Sequence, residues 1–359
     1  MKKILSVIIV FIGFTSQGFA DDVSWFKVFK GKIGSSPVTL NLVKYSEEVK
    51  GYYYYDKYKI PMTIFGSSGN DSLDLISYFN SYDTEHFKGI FKNGKFSGRW
   101  KDSKDKVLDF VLQEDPEISS QFEFVFVKEN RKLFKTEESS PYAEYVEGTI
   151  WPKSSYGYAP ILKAAVLNEK NFPAGSESPG QIMLKNKKTY IDSFLEENKN
   201  FSIEDIDDLG FSYSLIDHDV MVPAYFDENI FVFSRYWYNY SGGAHGNYGT
   251  QFRNFDLKKN KFIELSDILT ENGIKALPGL FEKYYRIQNN VDPSKSLQDD
   301  GLFTDTIHVN DNFIITPGGL TFNFVPYEIA PYAGGELVIY ISAIEISAYL
   351  KPRGKEMIN

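Results

Sequence analysis

Residues 89–100 read GIFKNGKFSGRW, and this stretch constrains the fold more than any other. Asn93 and Gly94 both tolerate the positive φ that the centre of a type I′ turn requires, and short apolar runs flank them, so the stretch predicts a two-residue β-hairpin. The same period of two recurs nearby. Val38, Leu40 and Leu42 alternate with Thr39 and Asn41, and Leu108, Phe110 and Leu112 alternate with polar neighbours. Gly51-Tyr52-Tyr53-Tyr54-Tyr55 puts tyrosine on both faces of a further strand. FKGKI, at 29–33, repeats the flavour of the hairpin arms. No helical period appears before residue 115. The sequence therefore predicts an all-β domain over 21–116, an antiparallel meander curled into a small barrel.

The chain has 359 residues, enough for two domains. Residues 117–140 read as a connection. Phe122, Phe124 and Phe126 alternate as a strand that either neighbour could own, and Glu137-Glu138-Ser139-Ser140-Pro141 marks a boundary loop. Residues 141–359 mix the two periods. Leu184, Ile191, Phe194 and Leu195 share a helical face, and Leu280, Phe281, Tyr284 and Ile287 mark a second helix with Pro278 near its first turn. Residues 230–240, 248–257, 313–315, 320–325 and 337–341 read as strands, and 344–350 as a short terminal helix. This predicts an α+β domain with helices on an antiparallel sheet, hence an α+β chain overall.

The first residues read as an export leader over 1–20. Lys2 and Lys3 precede an apolar stretch, and Gly18-Phe19-Ala20 supplies small residues at a cleavage site. The stretch is short for a membrane span, and Asp21-Asp22 follows it, so the expectation is a mature protein without a span, periplasmic or secreted. With no cysteine the chain forms no disulfide, thiolate metal site or lipidated thiol. Losing Lys2 and Lys3 with the leader takes the formal charge from −9 to −11. An acidic surface disfavours nucleic acid and attracts cationic partners.

Two loops stand out. SGGAHG, at 241–246, falls between two strands. It lacks the spacing of a phosphate loop or of G-x-S-x-G. Gly242, Gly243 and Gly246 permit positive φ and close backbone approach, and a neutral His245 donates from one nitrogen and accepts at the other. The loop reads first as a structural pin, next as a binding loop and last as a catalytic one. PYEIAPYAGGE, at 326–336, sets two Pro-Tyr pairs before two glycines. A proline-stiffened loop loses little entropy on contact, and tyrosine offers large area with few torsions. Either its tyrosines face a partner or they fold back on the sheet. Tyr327, Glu328, Pro331 and Tyr332 are the candidate partner-binding residues, and Glu328 is the expected partner of His245.

Together the two loops resemble the DUF3298/DUF4163-like exported domain shared by lysozyme-sensing anti-sigma-V factors and some peptidoglycan deacetylases, over about 141–353. FDLKKNKFIELSDIL, at 255–269, fits the strand, turn and helix of that domain. The resemblance implies binding of c-type lysozyme. It leaves the N-terminal β domain unexplained. The sequence shows neither the cytoplasmic segment with a retained span of an anti-sigma factor nor the metal-bearing domain of a deacetylase, so a binding module alone is expected.

The four histidines, His86, His218, His245 and His308, form no metal-binding spacing, and no metal or cofactor is expected. Asp217-His218-Asp219 reads as a solvated strand end. The leading expectation is a non-enzymatic exported protein that binds a lysozyme-like cationic protein or a related envelope ligand. The alternatives are a peptidoglycan hydrolase or deacetylase-like enzyme using His245 with Glu328, and a structural envelope protein.

Overall fold

The computed structural model of the chain describes residues 24–78, 84–176, 178–206 and 210–358, and the leader over 1–20 lies outside them. The N-terminal domain is a closed barrel of eight strands: β1 Trp25–Ile33, β2 Ser36–Tyr45, β3 Glu48–Tyr55, β4 Met62–Gly69, β5 Ser72–Tyr78, β6 Thr84–Lys92, β7 Lys95–Asp102 and β8 Val107–Glu114. Each strand pairs with the next, and β1 closes on β8. Asn93 and Gly94 both take positive φ, at 53° and 72°, which confirms the hairpin chemistry. In its arms Gly89 faces Gly98, and a Cβ on Gly98 would lie 2.1 Å from the Lys88 carbonyl oxygen. These glycines let the strands coil tightly enough to close.

Phe29, Leu40, Tyr53, Phe87, Phe96 and Phe110 fill the bore, with Phe96 and Phe110 edge to face at 4.7 Å. Among the described residues, polar side chains enter near its ends. Lys27 pairs with Glu114 at 2.6 Å, and Glu85 accepts from Trp100 Nε1 at 2.6 Å, Tyr55 at 3.2 Å and Tyr53. The tyrosine run of β3 splits as strand alternation demands. Tyr53 and Tyr55 belong to the bore, while Tyr52 and Tyr54 face the second domain. There the Tyr52 hydroxyl lies 2.6 Å from Ser234 Oγ, and Tyr54 meets Tyr225. Phe26 and Tyr45 pack on Phe122 and Phe124, so the outer wall of the barrel seats directly on a second sheet.

The domains separate at helix α1, Pro116–Ser119, whose N-cap Asp115 accepts from Ile118 N. β9, Phe122–Lys132, pairs along its length with β10, Tyr142–Pro152. The Phe122-Phe124-Phe126 strand thus belongs to the second domain, and 137–141 turns within a hairpin; the proline and acidic residues there serve a loop. Helices α2, Ala159–Glu169, and α3, Gly180–Glu197, then carry the chain across to β11, Leu215–Phe226, which runs parallel to β10. β12, Ile230–Tyr240, β13, Asn247–Asp256, and β14, Lys261–Phe262, complete a six-stranded sheet of order β14-β13-β12-β11-β10-β9. All its other pairs are antiparallel.

After α4, Leu265–Ile268, helix α5 spans Glu271–Asn289 and starts at the N-cap Thr270. Pro278 therefore lies inside the helix, beyond the first turn, where it removes the bond to the Ile274 carbonyl. Its buried stripe is Gly273, Leu277, Phe281 and Tyr285, and Ile287 is 63% exposed. The other expected helix face also shifts: α3 buries Met183, Ile191 and Phe194, and leaves Leu184 44% exposed. β15, Phe313–Thr316, β16, Gly319–Phe324, and β17, Leu337–Ser342, form a three-stranded antiparallel sheet under α5, with Phe281 against Phe322 at 4.6 Å. The terminal helix is α6, Ala343–Ile346, followed by a short 3₁₀ turn and by α7, Pro352–Met357.

Asp217-His218-Asp219 is not a solvated strand end. It lies within β11, in a sheet covered on both faces. On the face toward the barrel, buried His218 sits 2.7 Å from Glu144. On the opposite side Asp219 receives Arg235 through two bonds of 2.8 and 2.6 Å and pairs with fully buried Lys170 at 2.7 Å, which also meets Glu147 at 3.0 Å.

Candidate functional site

β12 and β13 are antiparallel neighbours of 11 and 10 residues, and their connection is the SGGAHG loop. Gly242 and Gly243 take φ of 96° and 91°, values that disfavour any side chain. A Cβ on Gly246 would stand 2.6 Å from the Tyr238 ring and 2.8 Å from the Asn239 carbonyl oxygen. The loop therefore needs its glycines, two for conformation and one for space. The Tyr240 hydroxyl donates to the Gly243 carbonyl at 3.0 Å.

PYEIAPYAGGE follows β16 and folds onto the same corner. Ile329 and Ala330 are buried and anchor it. Tyr327 N donates to the Ala330 carbonyl at 3.1 Å, and Glu328 N to the Val325 carbonyl at 3.0 Å. Tyr327 holds φ at 70°, which is rare for a bulky residue and persists only where surroundings enforce it. The reward is position: its ring is 52% exposed beside the histidine loop.

The two loops meet through rings. His245 stacks on Tyr332 with centroids 3.9 Å apart and planes at 22°. Its Nδ1 lies 3.0 Å from the Gly246 carbonyl oxygen, which only accepts, so this nitrogen carries the proton of the neutral ring. Nε2 is then free to accept from the Tyr327 hydroxyl at 3.3 Å. Tyr327 and Tyr332 are 5.6 Å apart, and Tyr248 of β13 meets Tyr332 edge-on at 5.7 Å.

The expected pairing of His245 with Glu328 is not formed. Glu328 accepts from Asn310 Nδ2 at 2.8 Å and from Val325 N at 2.9 Å, and His308 lies 3.4 Å away. The turn at Tyr327 aims this carboxylate back into its own loop. Of the four candidates, Tyr327 and Pro331 are exposed, Tyr332 is half-buried, and Glu328 acts as a brace beneath them. A histidine whose one nitrogen holds a backbone carbonyl and whose other faces a tyrosine has no acid–base partner of the kind the enzyme reading required.

Sequence reasoning missed Tyr248 and Glu336. Glu336 closes the second loop and ties it to β13 through Thr250 N and, at 3.1 Å, Thr250 Oγ1, with Asn323 Nδ2 at 3.3 Å. Burial pushes its carboxyl above the usual range, and these donors oppose the shift without cancelling it. Burial, with Glu336 and Tyr332 nearby, likewise pushes the Tyr248 hydroxyl up to about 12, so it stays protonated. The acidic residue directly after the paired glycines was the available signal for Glu336. Nothing in the strand pattern distinguishes Tyr248 from its neighbours. What the corner offers chemically is ring faces and hydroxyls on a stiff frame.

Among the described residues, no helix is long and apolar enough to cross a membrane. No curated protein matches the chain. Among solved structures, a DUF3298 family member from Bacteroides fragilis NCTC 9343 is 24% identical with a TM-score of 0.55, covering 65% of this chain and 94% of that one. A DUF3298 family protein from Pseudomonas aeruginosa PAO1 is 17% identical with a TM-score of 0.43, covering 64% and 94%. Residues 266–343, which include PYEIAPYAGGE but not SGGAHG, match the family described as "Protein of unknown function (DUF3298)".

Proposed function

We propose that this is an exported, non-enzymatic binding protein of the cell envelope, and that the corner formed by His245, Tyr248, Tyr327 and Tyr332 holds a cationic protein, a c-type lysozyme foremost. The observation that carries the reading is the stack of His245 on Tyr332, which joins two distant loops into one partly exposed aromatic face. Such a face is ordered before contact, so binding loses little loop entropy. Ring faces attract lysine and arginine side chains, and buried aromatics dominate typical hot spots. The formal charge of −9, −11 without the leader, would speed encounter with a basic partner.

Surface plasmon resonance with c-type lysozyme at two salt concentrations tests this. Higher salt should slow association more than it hastens dissociation. Tyr332→Ala should act mainly on dissociation and cost about 2 kcal/mol. Full-strength binding by a Tyr327→Ala/Tyr332→Ala double variant would remove the corner from the interface, and no binding by the wild type would remove lysozyme. Mass spectrometry of the native protein should find Asp21 at its N-terminus; an intact leader would contradict export by this route.

A further inference from the structure

The barrel lies outside the matched segment, and one of its ends is built differently from a sealed core. Trp25, Lys27 and Phe29 alternate along β1 on the face that points into the bore, as do Glu85, Phe87, Gly89 and Phe91 along β6. Near this end stand half-buried Trp25 and Phe91, 5.9 Å apart, with Phe91 set edge-on against the buried Phe29 at 5.3 Å. The Lys27 ammonium lies 5.7 and 5.4 Å from the two rings and is itself tied to Glu114. The rings are therefore fixed from within before anything meets them.

Above them opens a cleft of about 390 Å³, within the ~300–1,000 Å³ range of small-molecule sites, and barrel mouths are a common place for such sites. Its rim comes from the turns after β4 and β6. Asn70, Asp71, Lys92 and Asn93 are exposed there, and among the described residues no ion pair engages Asp71 or Lys92.

We infer that this barrel mouth binds a saccharide, one sugar ring lying on Trp25 while the rim residues take its hydroxyls. The chemistry discriminates between ligand classes. A sugar has an apolar face of C–H groups for an indole and a girdle of hydroxyls that need donors and acceptors together. The rim supplies both: amides on Asn70 and Asn93, a carboxylate on Asp71 and an ammonium on Lys92. Lys44 and Lys92 in the lining would attract a phosphate and Asp71 would oppose it, so phosphate is the competitor to test, and an aliphatic chain would use none of the rim's polar groups. The inference does not depend on the lysozyme reading, since the cleft and the aromatic corner share no residue.

The test uses the full chain and isothermal titration with chitotriose, cellotriose, maltotriose and, separately, inorganic phosphate. At least one trisaccharide should bind. Trp25→Ala should weaken that binding roughly tenfold, the scale of one lost aromatic contact, and Trp25→Phe should retain most of it. Because Trp25→Ala touches the barrel core, an Asp71→Ala/Lys92→Ala variant on the exposed rim provides the second arm: its melting temperature should stay put while affinity falls. Binding by none of the sugars overturns the inference. So does binding of phosphate alone, or sugar binding that neither variant alters.

Discussion

The barrel and the six-stranded sheet are built from the same kind of aromatic strand, yet they are held together differently. In the barrel every strand pairs with its sequence neighbour, the bore is apolar, and among the described residues charged groups enter it toward its ends. In the second domain, polar groups sit deep in the packing and join distant parts of the chain. Lys170 is fully buried between Glu147 and Asp219, and Arg353 of α7 grips both oxygens of Asp256 at 2.6 and 2.7 Å, 97 residues away. Asn254 does similar work between sheets, donating to the Phe313 carbonyl and accepting from Ile315 N. Apolar burial is non-directional and suffices when short hairpins set the register. Where a long connection must dock in one orientation, a bidentate pair supplies the geometry.

This contrast can be broken most directly at Asp256. Asp256→Ala leaves the buried Arg353 guanidinium with only the more exposed Glu356 as a carboxylate partner and should cost about 3 kcal/mol in denaturant unfolding, whereas replacing Asp256 and Arg353 together with apolar residues of similar volume should restore much of it. If the double replacement were no better than the single, the pair would contribute net stability and not merely orientation. In the barrel, Phe96→Ala should cost a comparable ~3–5 kcal/mol through the cavity alone, with no charge to rescue.

Gly246→Ala should cost less, about 1–3 kcal/mol, because Tyr238 must yield to the new methyl group. An unchanged melting temperature would show that the loop has slack. His245→Ala removes one ring stack and should lower stability by about 1 kcal/mol or less while loosening the Tyr332 ring. Abolition of a measured turnover with stability untouched would instead return the enzyme reading.

Acid acts on the buried carboxylates of the second domain in two opposite directions. Burial raises the carboxyls of Asp219 and Asp256, but Lys170 and Arg235 for the first and Arg353 for the second outweigh it, leaving both below the ordinary range. Their stabilisation is present above the unfolded value of about 3.9 and is lost as pH falls through the folded values. Glu336 behaves oppositely. Its raised carboxyl binds a proton more readily in the folded state, so stability increases as pH falls toward its unfolded value. Glu336→Gln should erase that mildly acidic gain and leave the steeper loss at lower pH, as read by near-ultraviolet circular dichroism across pH. A profile identical to the wild type would mean that Glu336 titrates alike in both states.

What could be read from the sequence follows the same division. The barrel was legible because its information is local: Asn93-Gly94 dictates a turn, alternation in 38–42 and 108–112 assigns inside and outside, and Tyr52–Tyr55 needs two covered faces. The glycines of SGGAHG were legible as conformational requirements for the same reason. Errors arose where a residue's role depends on what another part of the chain brings to it. Asp219 reads as solvated until Lys170 arrives from the C-cap of α2 and Arg235 from β12, Pro278 reads as a helix start until Thr270 caps the helix earlier, and the strand at 122–126 has no owner until β10 pairs with it. Glu328 could be matched with His245 by motif, but only the left-handed turn at Tyr327 decides that the carboxylate faces Asn310. Backbone preference is encoded within a few residues, whereas the partner of a charge is chosen by the packing of the whole chain.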